Sequence, residues 1–312
     1  GPLHIDEVLV GYDGTPTTPG RFVVGVDGRV SVSGLEVDVD QLSLAIPLRH
    51  PAEPSRWQVD LAGLAVSYRT AAASIAGGLV KRAAAGGGIE YDGGVTVSVA
   101  GRGLAAVGSY AQPGTGTDRY TSLFVFAVVS VPLGGPPYLF VTGLAGGAGY
   151  IRRFLVPSDP AAVPAFPLVA AMADASAGSP MAALEAISKD IPPSRGSYWV
   201  AAGVKFSTFE LLHTTALAYA SLDRGLEIGL VGLMRMALPS AQFPLVSVDL
   251  ALAARYSTVD EMLAIRAALT GNSWLISPDC RLEGGFAFVT WFAKHEALLT
   301  IGGYGPLYRP PP

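Results

Sequence analysis

Residues 226–238 read Leu-Glu-Ile-Gly-Leu-Val-Gly-Leu-Met-Arg-Met-Ala-Leu, with Leu226, Ile228, Leu230, Met234, Met236 and Leu238 at alternate positions and Glu227, Gly229 and Arg235 between them. A period of two is the signature of a β-strand, whose successive side chains point to opposite faces, and it predicts that the apolar set faces a core. The alternation returns in Val246, Val248, Leu250, Leu252, Ala254 and Tyr256, in Leu263, Ile265, Ala267 and Leu269, and in Leu282, Phe286, Phe288 and Phe292. The links between these runs are short. Parallel neighbours would need crossovers of about a dozen residues or more, so the strands pair antiparallel.

Upstream, Leu35, Val37 and Val39 give way to Leu42, Leu44 and Ile46 in the opposite phase, which predicts a β-bulge near Gln41. Further strands are expected over 57–68, 95–99, 104–110, 121–131, 138–144, 198–206 and 209–219. Punctuation falls at Gly86-Gly87-Gly88, Asp92-Gly93-Gly94, Pro113-Gly114 and Gly134-Gly135-Pro136-Pro137. Residues 157–196 break the pattern. There Ser179-Pro180 offers a cap and a first helical residue for a helix carrying Met181, Leu184 and Ile187 and stopped by Pro192-Pro193, and a second helix is expected from Pro167 to Asp174. The fold class is therefore mainly β: long antiparallel strands forming a barrel, half-barrel or curved sandwich, in a single domain with a short helical insertion or lid around 160–191.

Half of the 312 residues are hydrophobic and 15% are charged, below the usual quarter, which excludes a disordered chain. A net charge of −4 leaves no basic face for a phosphate backbone, so no nucleic-acid partner is expected. The start, Gly1-Pro2-Leu3, reads as a tag remnant, and Tyr308-Arg309-Pro310-Pro311-Pro312 reads as the beginning of a linker, so a fragment of a longer protein is expected. One cysteine gives no internal disulfide and permits a reducing cytoplasm without locating the chain there.

Few residues suggest chemistry. The run Val141 to Tyr150 is glycine-rich but lacks GxGxxG and opens no helix, so it reads as a tight strand and turn. Beside it Arg152 and Arg153 form a compact basic pair; with Tyr150 they are the candidate ligand-binding residues, against the alternative of two arginines on opposite faces, one solvated and one bonded to a carboxylate. Cys280 between Asp279 and Arg281 would need His295 as its base to act as a nucleophile, and a lone cysteine is more often a small buried hydrophobe. His4, His50, His213 and His295 are scattered without metal-ligand spacing. No catalytic residue, metal site or cofactor is assigned.

Three segments carry a resemblance: Val141 to Arg153, Asn272 to Phe288, and Thr300-Ile301-Gly302-Gly303-Tyr304-Gly305-Pro306. Over most of residues 30–310 the chain resembles a family of very large microbial proteins known only as a domain of unknown function. That family has an aromatic residue and an Asn at the places of Ala148 and Ile151 and a His at that of Gly305, so the resemblance implies no polar role at these positions. It implies a β-rich region of a larger chain and supplies no activity.

The surplus of apolar residues leads to the expectation of a non-enzymatic β-scaffold whose apolar trough or interior binds a lipid-like ligand, or which packs as a structural part of a larger assembly. Two alternatives stand beside it. An outer-membrane-type barrel shares the strand length and alternation but wants aromatic girdles, which the sequence does not display at regular strand ends. An enzyme would place its site near Cys280.

Overall fold

The computed structural model describes residues 3–15, 18–49, 51, 53, 56–71, 73–84, 87–99, 102–173, 187, 189–240 and 242–302. Its strands form one antiparallel meander: β1 Leu3–Thr15, β2 Thr18–Val32, β3 Leu35–Pro47, β4 Gln58–Arg69, β5 Ala73–Ala83, β6 Gly88–Val99, β7 Arg102–Pro113, β8 Ser122–Ser130, β9 Phe140–Arg152, β10 Pro193–Thr208, β11 Leu212–Leu222, β12 Leu226–Leu238, β13 Val246–Ser257 and β14 Met262–Leu269. Two short pieces follow, β15 Trp274–Leu275 and β16 Ser277–Arg281, before β17 Gly285–Trp291 and β18 Glu296–Gly302. Each long strand pairs with the next, and β14 pairs with β17 across the β15–β16 excursion. Among the described residues β1 pairs only with β2 and β18 only with β17, so the sheet is open rather than closed into a barrel.

The expected bulge is present: Gln41 lies at φ 47° and the β2–β3 register shifts between Val26 and Gly28. Asp92-Gly93-Gly94, expected as punctuation, lies inside β6. The strand expected from Leu282 begins at Gly285, because residues 274–281 fold back on themselves first. Strands β1, β2, β5 and β18 were not legible in the sequence, where glycines and charges interrupt the alternation.

Between β9 and β10 the chain leaves the sheet. Asp159 accepts a hydrogen bond from the Ala161 amide at 2.9 Å and starts a 3-10 turn over Pro160–Ala165, and α1 follows over Pro167–Ala173. The helix expected from Ser179-Pro180 to Pro192-Pro193 lies largely outside the described residues. This segment carries Phe154, Val163, Phe166, Leu168, Val169, Met172, Ile187 and Ile191 against Phe124, Phe126, Trp199, Leu217 and Val231 of the sheet, and together they make the main core. Phe154 stacks on Trp199 with ring centroids 4.5 Å apart. The glycines of β9 and β10 make room for this: a Cβ on Gly149 would overlap the Trp199 indole, and one on Gly203 would overlap the Met172 side chain.

The direction of the sheet is the reverse of the sequence expectation. Cross-strand partners share a face, and the register places Leu226, Ile228, Leu230 and Met234 with Leu222, Ala220, Ala218 and Thr214 of β11 and with Tyr256, Ala254 and Leu250 of β13. This face looks away from the core. The buried positions are the residues between, such as Val231, Ala251, Ala253, Ala264 and Ala287. The apolar sets of β12, β13, β14 and β17 thus point outward, and the small and charged sets point inward. Phe154 to Met172, Ile187 and Ile191 pack on this inner side, where small residues such as Gly203, Ala251 and Ala253 stand beside Trp199, Leu217, Tyr219 and Val231.

Candidate functional site

The outer face is uniform in chemistry. Across β8 to β14, β17 and β18 its described positions carry no Asp, Glu, Lys or Arg. The charged residues of these strands sit on the inner face, where Lys205 donates to Ala173 O, Arg255 meets Glu227 and Arg235 meets Asp249. Val125, Val200 and Ile228 are about half exposed on the outer side, as are Leu299 and Ile301 or more so. At the end of the sheet where residues 153–192 emerge, hereafter the helical end, the register aligns a row: Tyr110 opposite Leu123, Leu123 opposite Tyr150, Tyr150 opposite Tyr198, and Tyr198 opposite Leu222. The row continues through Leu226 and Ile228 to Tyr256, whose ring meets Phe292 at 6.1 Å. These are the aromatic positions not apparent as a girdle in the sequence. They stand at different offsets from their turns and align only once the register is known.

Inside, the strands hold a buried polar cluster. Arg152 is fully buried; its Nη2 donates to Glu90 Oε1 at 2.8 Å and to Ser109 Oγ at 2.6 Å, its Nη1 to Ile191 O at 2.9 Å, and its guanidinium lies 5.2 Å from the Phe124 ring centre. Ser109 in turn donates to Glu90 Oε1 at 2.8 Å. Asp92, also buried, has no hydrogen-bond partner among the described residues and lies 3.7 Å from Arg82 Nη1. Glu90 and Asp92 come from β6, Ser109 from β7 and Arg152 from β9, so the cluster ties these three strands to Ile191, just ahead of β10. Because Arg152 is committed on three sides, its role is that of a tie between strands.

Tyr150 stands apart from Arg152 and Arg153, which line one small cleft together. Ile151 adopts φ 56° and kinks β9, so Tyr150 points outward and packs edge-on to Tyr198 at 5.5 Å while Arg152 points inward. Arg153 lies beyond the kink and pairs with Asp223, Nε to Oδ2 at 3.1 Å, on a half-exposed surface. The run Val141 to Tyr150 is a strand, with its glycines in the sheet. Cys280 is exposed in β16 at the end of the sheet opposite the helical end, and His295 lies in the β17–β18 turn at the helical end. The length of β17 separates them and no thiol–imidazole pair forms. Among the described residues no group of three His, Cys, Asp or Glu side chains is placed to hold a metal.

At the helical end a cleft of about 540 Å³ opens between residues 154–166 and the sheet, lined by Phe154, Phe166, Asp190, Glu227 and Arg255 among others. Burial pushes the Asp190 carboxyl above the usual carboxylate range, and the neighbouring Lys189 charge offsets part of that. Sequence reasoning missed this site, since its polar residues come from three distant segments with no motif between them.

No curated protein matches the chain. Among solved structures it is similar to a mutant of the Rh. blastica porin, at 11% identity over 96% of this chain and 94% of that one, with a TM-score of 0.33. It is also similar to Pseudomonas aeruginosa OccK2 (OpdF) in complex with glucuronate, at 10% identity over 96% and 92%, with a TM-score of 0.28. Likenesses this distant carry no argument about function. The model of the DUF6603 family, a family of unknown function, matches residues 1–312, and the chain belongs to that family.

Proposed function

We propose that this chain is a lipid-facing β-wall: its outer face lies against acyl chains, and its inner face, covered by Phe154 to Met172, Ile187 and Ile191, carries the charges. The observation that supports this reading is the one-sided distribution of charge across β8 to β14, β17 and β18. A solvated sheet face is expected to be polar, and an apolar face this extensive marks a lipid or a protein covering. Strands of 11–13 residues such as β11 (11 residues), β12 (13) and β13 (12) are long enough to cross a hydrocarbon core when tilted, for which about 9–11 residues suffice. The aromatic row at the helical end matches the chemistry of a membrane–water interface, where amphipathic rings are favoured. No helix among the described residues is long and apolar enough to cross a membrane, so contact with lipid falls to the strands.

This reading places the apolar ligand outside the sheet rather than in an interior trough, since the apolar inner surface is already taken by Phe154, Phe166, Met172 and Ile187. It also requires β1 and β18 to be paired in the membrane, because an unpaired strand edge is not tolerated in hydrocarbon. The open edges favour a second reading, in which the same face packs against another part of a larger assembly. Flotation separates the two. Chain purified in detergent and diluted into phosphatidylcholine vesicles is expected to float with them and to resist extraction at alkaline pH. A chain that stays in the aqueous fraction as a defined soluble oligomer would support the assembly reading and end the first.

A further inference from the structure

The cleft at the helical end has a polar wall whose charges are unevenly satisfied. Arg255 directs Nη1 to Glu227 Oε2 at 3.6 Å and Nη2 to Asp260 Oδ2 at 3.5 Å, and Glu227 Oε1 also accepts from the Tyr219 hydroxyl at 2.9 Å. Asp190 lines the same cleft, and the structure gives its carboxylate neither an ion pair nor a hydrogen bond among the described residues. The opposite wall is apolar and partly aromatic, with Phe154 and Phe166 meeting edge to face at 5.9 Å. We propose that this cleft binds a small organic ammonium, an amine on an apolar or aromatic body, with Asp190 as its counter-ion and the Phe154 and Phe166 rings against its body.

The volume of about 540 Å³ suits a small molecule. An ammonium near Asp190 would meet a carboxylate whose neighbouring cation is the flanking Lys189, and an apolar, partly aromatic lining for its body. An anion would meet Asp190 and Glu227 with only Arg255 to hold it, and that guanidinium already faces two carboxylates. Burial raises the affinity of Asp190 for its proton more than the neighbouring Lys189 charge lowers it, which agrees with the same assignment. The proposal uses the helical end alone and stands whether or not the outer face meets lipid.

Saturation-transfer NMR on the full chain in detergent tests it, with phenethylammonium and phenylacetate as matched probes. The ammonium is expected to bind at least about tenfold more tightly than the carboxylate, and Asp190→Asn is expected to weaken it by about tenfold or more with circular dichroism unchanged. Should Asp190→Asn not fold, Ala165→Phe, which fills the cleft and leaves Asp190 in place, is expected to abolish binding of the ammonium. Equal binding of the two probes, no binding of either, or binding that survives the folded variants would overturn the proposal.

Discussion

Replacing Arg152 by Met keeps the length and bulk of the side chain and removes its charge. The structure sets the size of the effect. Arg152 is fully buried and makes three side-chain hydrogen bonds, to Glu90, Ser109 and Ile191 O. The Glu90 side chain is only 12% exposed, so without Arg152 its carboxylate keeps the Ser109 hydroxyl and little else. Removing one partner of a buried ion pair costs about 3–5 kcal/mol, most of it from the charge left behind. The single variant Arg152→Met is therefore expected to lose about that much. Glu90→Gln together with Arg152→Met removes the stranded charge and is expected to recover about 2 kcal/mol relative to the sum of the two single losses. Equilibrium urea unfolding in detergent micelles reads this through tryptophan fluorescence, with Trp199 buried next to the cluster's Phe124 at 6.4 Å. A loss below about 1 kcal/mol for Arg152→Met, or strict additivity in the double variant, would refute the view of this cluster as a tie across β6, β7 and β9.

Other substitutions probe other parts of the account. Val125 lies on the outer face opposite Gly108 and Ala148, which leave room for a longer side chain; Val125→Arg is expected to cost about 2–4 kcal/mol in vesicles, and a loss within about 0.5 kcal/mol would indicate water there. Gly149→Ala is expected to destabilise by about 1–3 kcal/mol because the rigid Trp199 indole must move, and Gly203→Ala by less because Met172 is flexible; thermal unfolding that reverses this order would contradict the packing. Asp190→Asn is expected to stabilise the ligand-free chain at neutral pH. Its folded-state carboxyl binds a proton more readily than the unfolded one, so wild-type stability falls as pH rises from the unfolded value of about 3.8 through the raised folded value, and a urea midpoint series with no such fall against the variant would refute it.

Most of the long strands, though not β1, β2, β5 and β18, were legible in the sequence because alternation is a property of local spacing. The bulge at Gln41 and the short helix at Pro167 were legible for the same reason. The side each face takes was not. Alternation in Leu226 to Leu238 says that two faces differ, and which of them is inside is decided by Phe154 to Met172, Ile187 and Ile191, far away in the chain, which pack on the side of Val231. Arg152 shows the same limit. The sequence suggested a split between Arg152 and Arg153, but the partner Glu90 lies 62 residues upstream and is reached only through the register of β6, β7, β8 and β9. The aromatic row and the cleft at Asp190 also rest on register and on the insertion, and neither leaves a local pattern.

The central claim is that the outer face of this sheet meets lipid and the inner face does not, and an alternating label series tests it most directly. With Cys280→Ser as background, single cysteines at outer positions Val248, Met234 and Val200 and at inner positions Ser247 and Ala237 carry a fluorophore, and bromine on the acyl chains of the vesicles serves as quencher. The account predicts strong quenching at the three outer sites and little at the two inner ones. Quenching that is weak at all five sites, or that ignores the alternation, would contradict it.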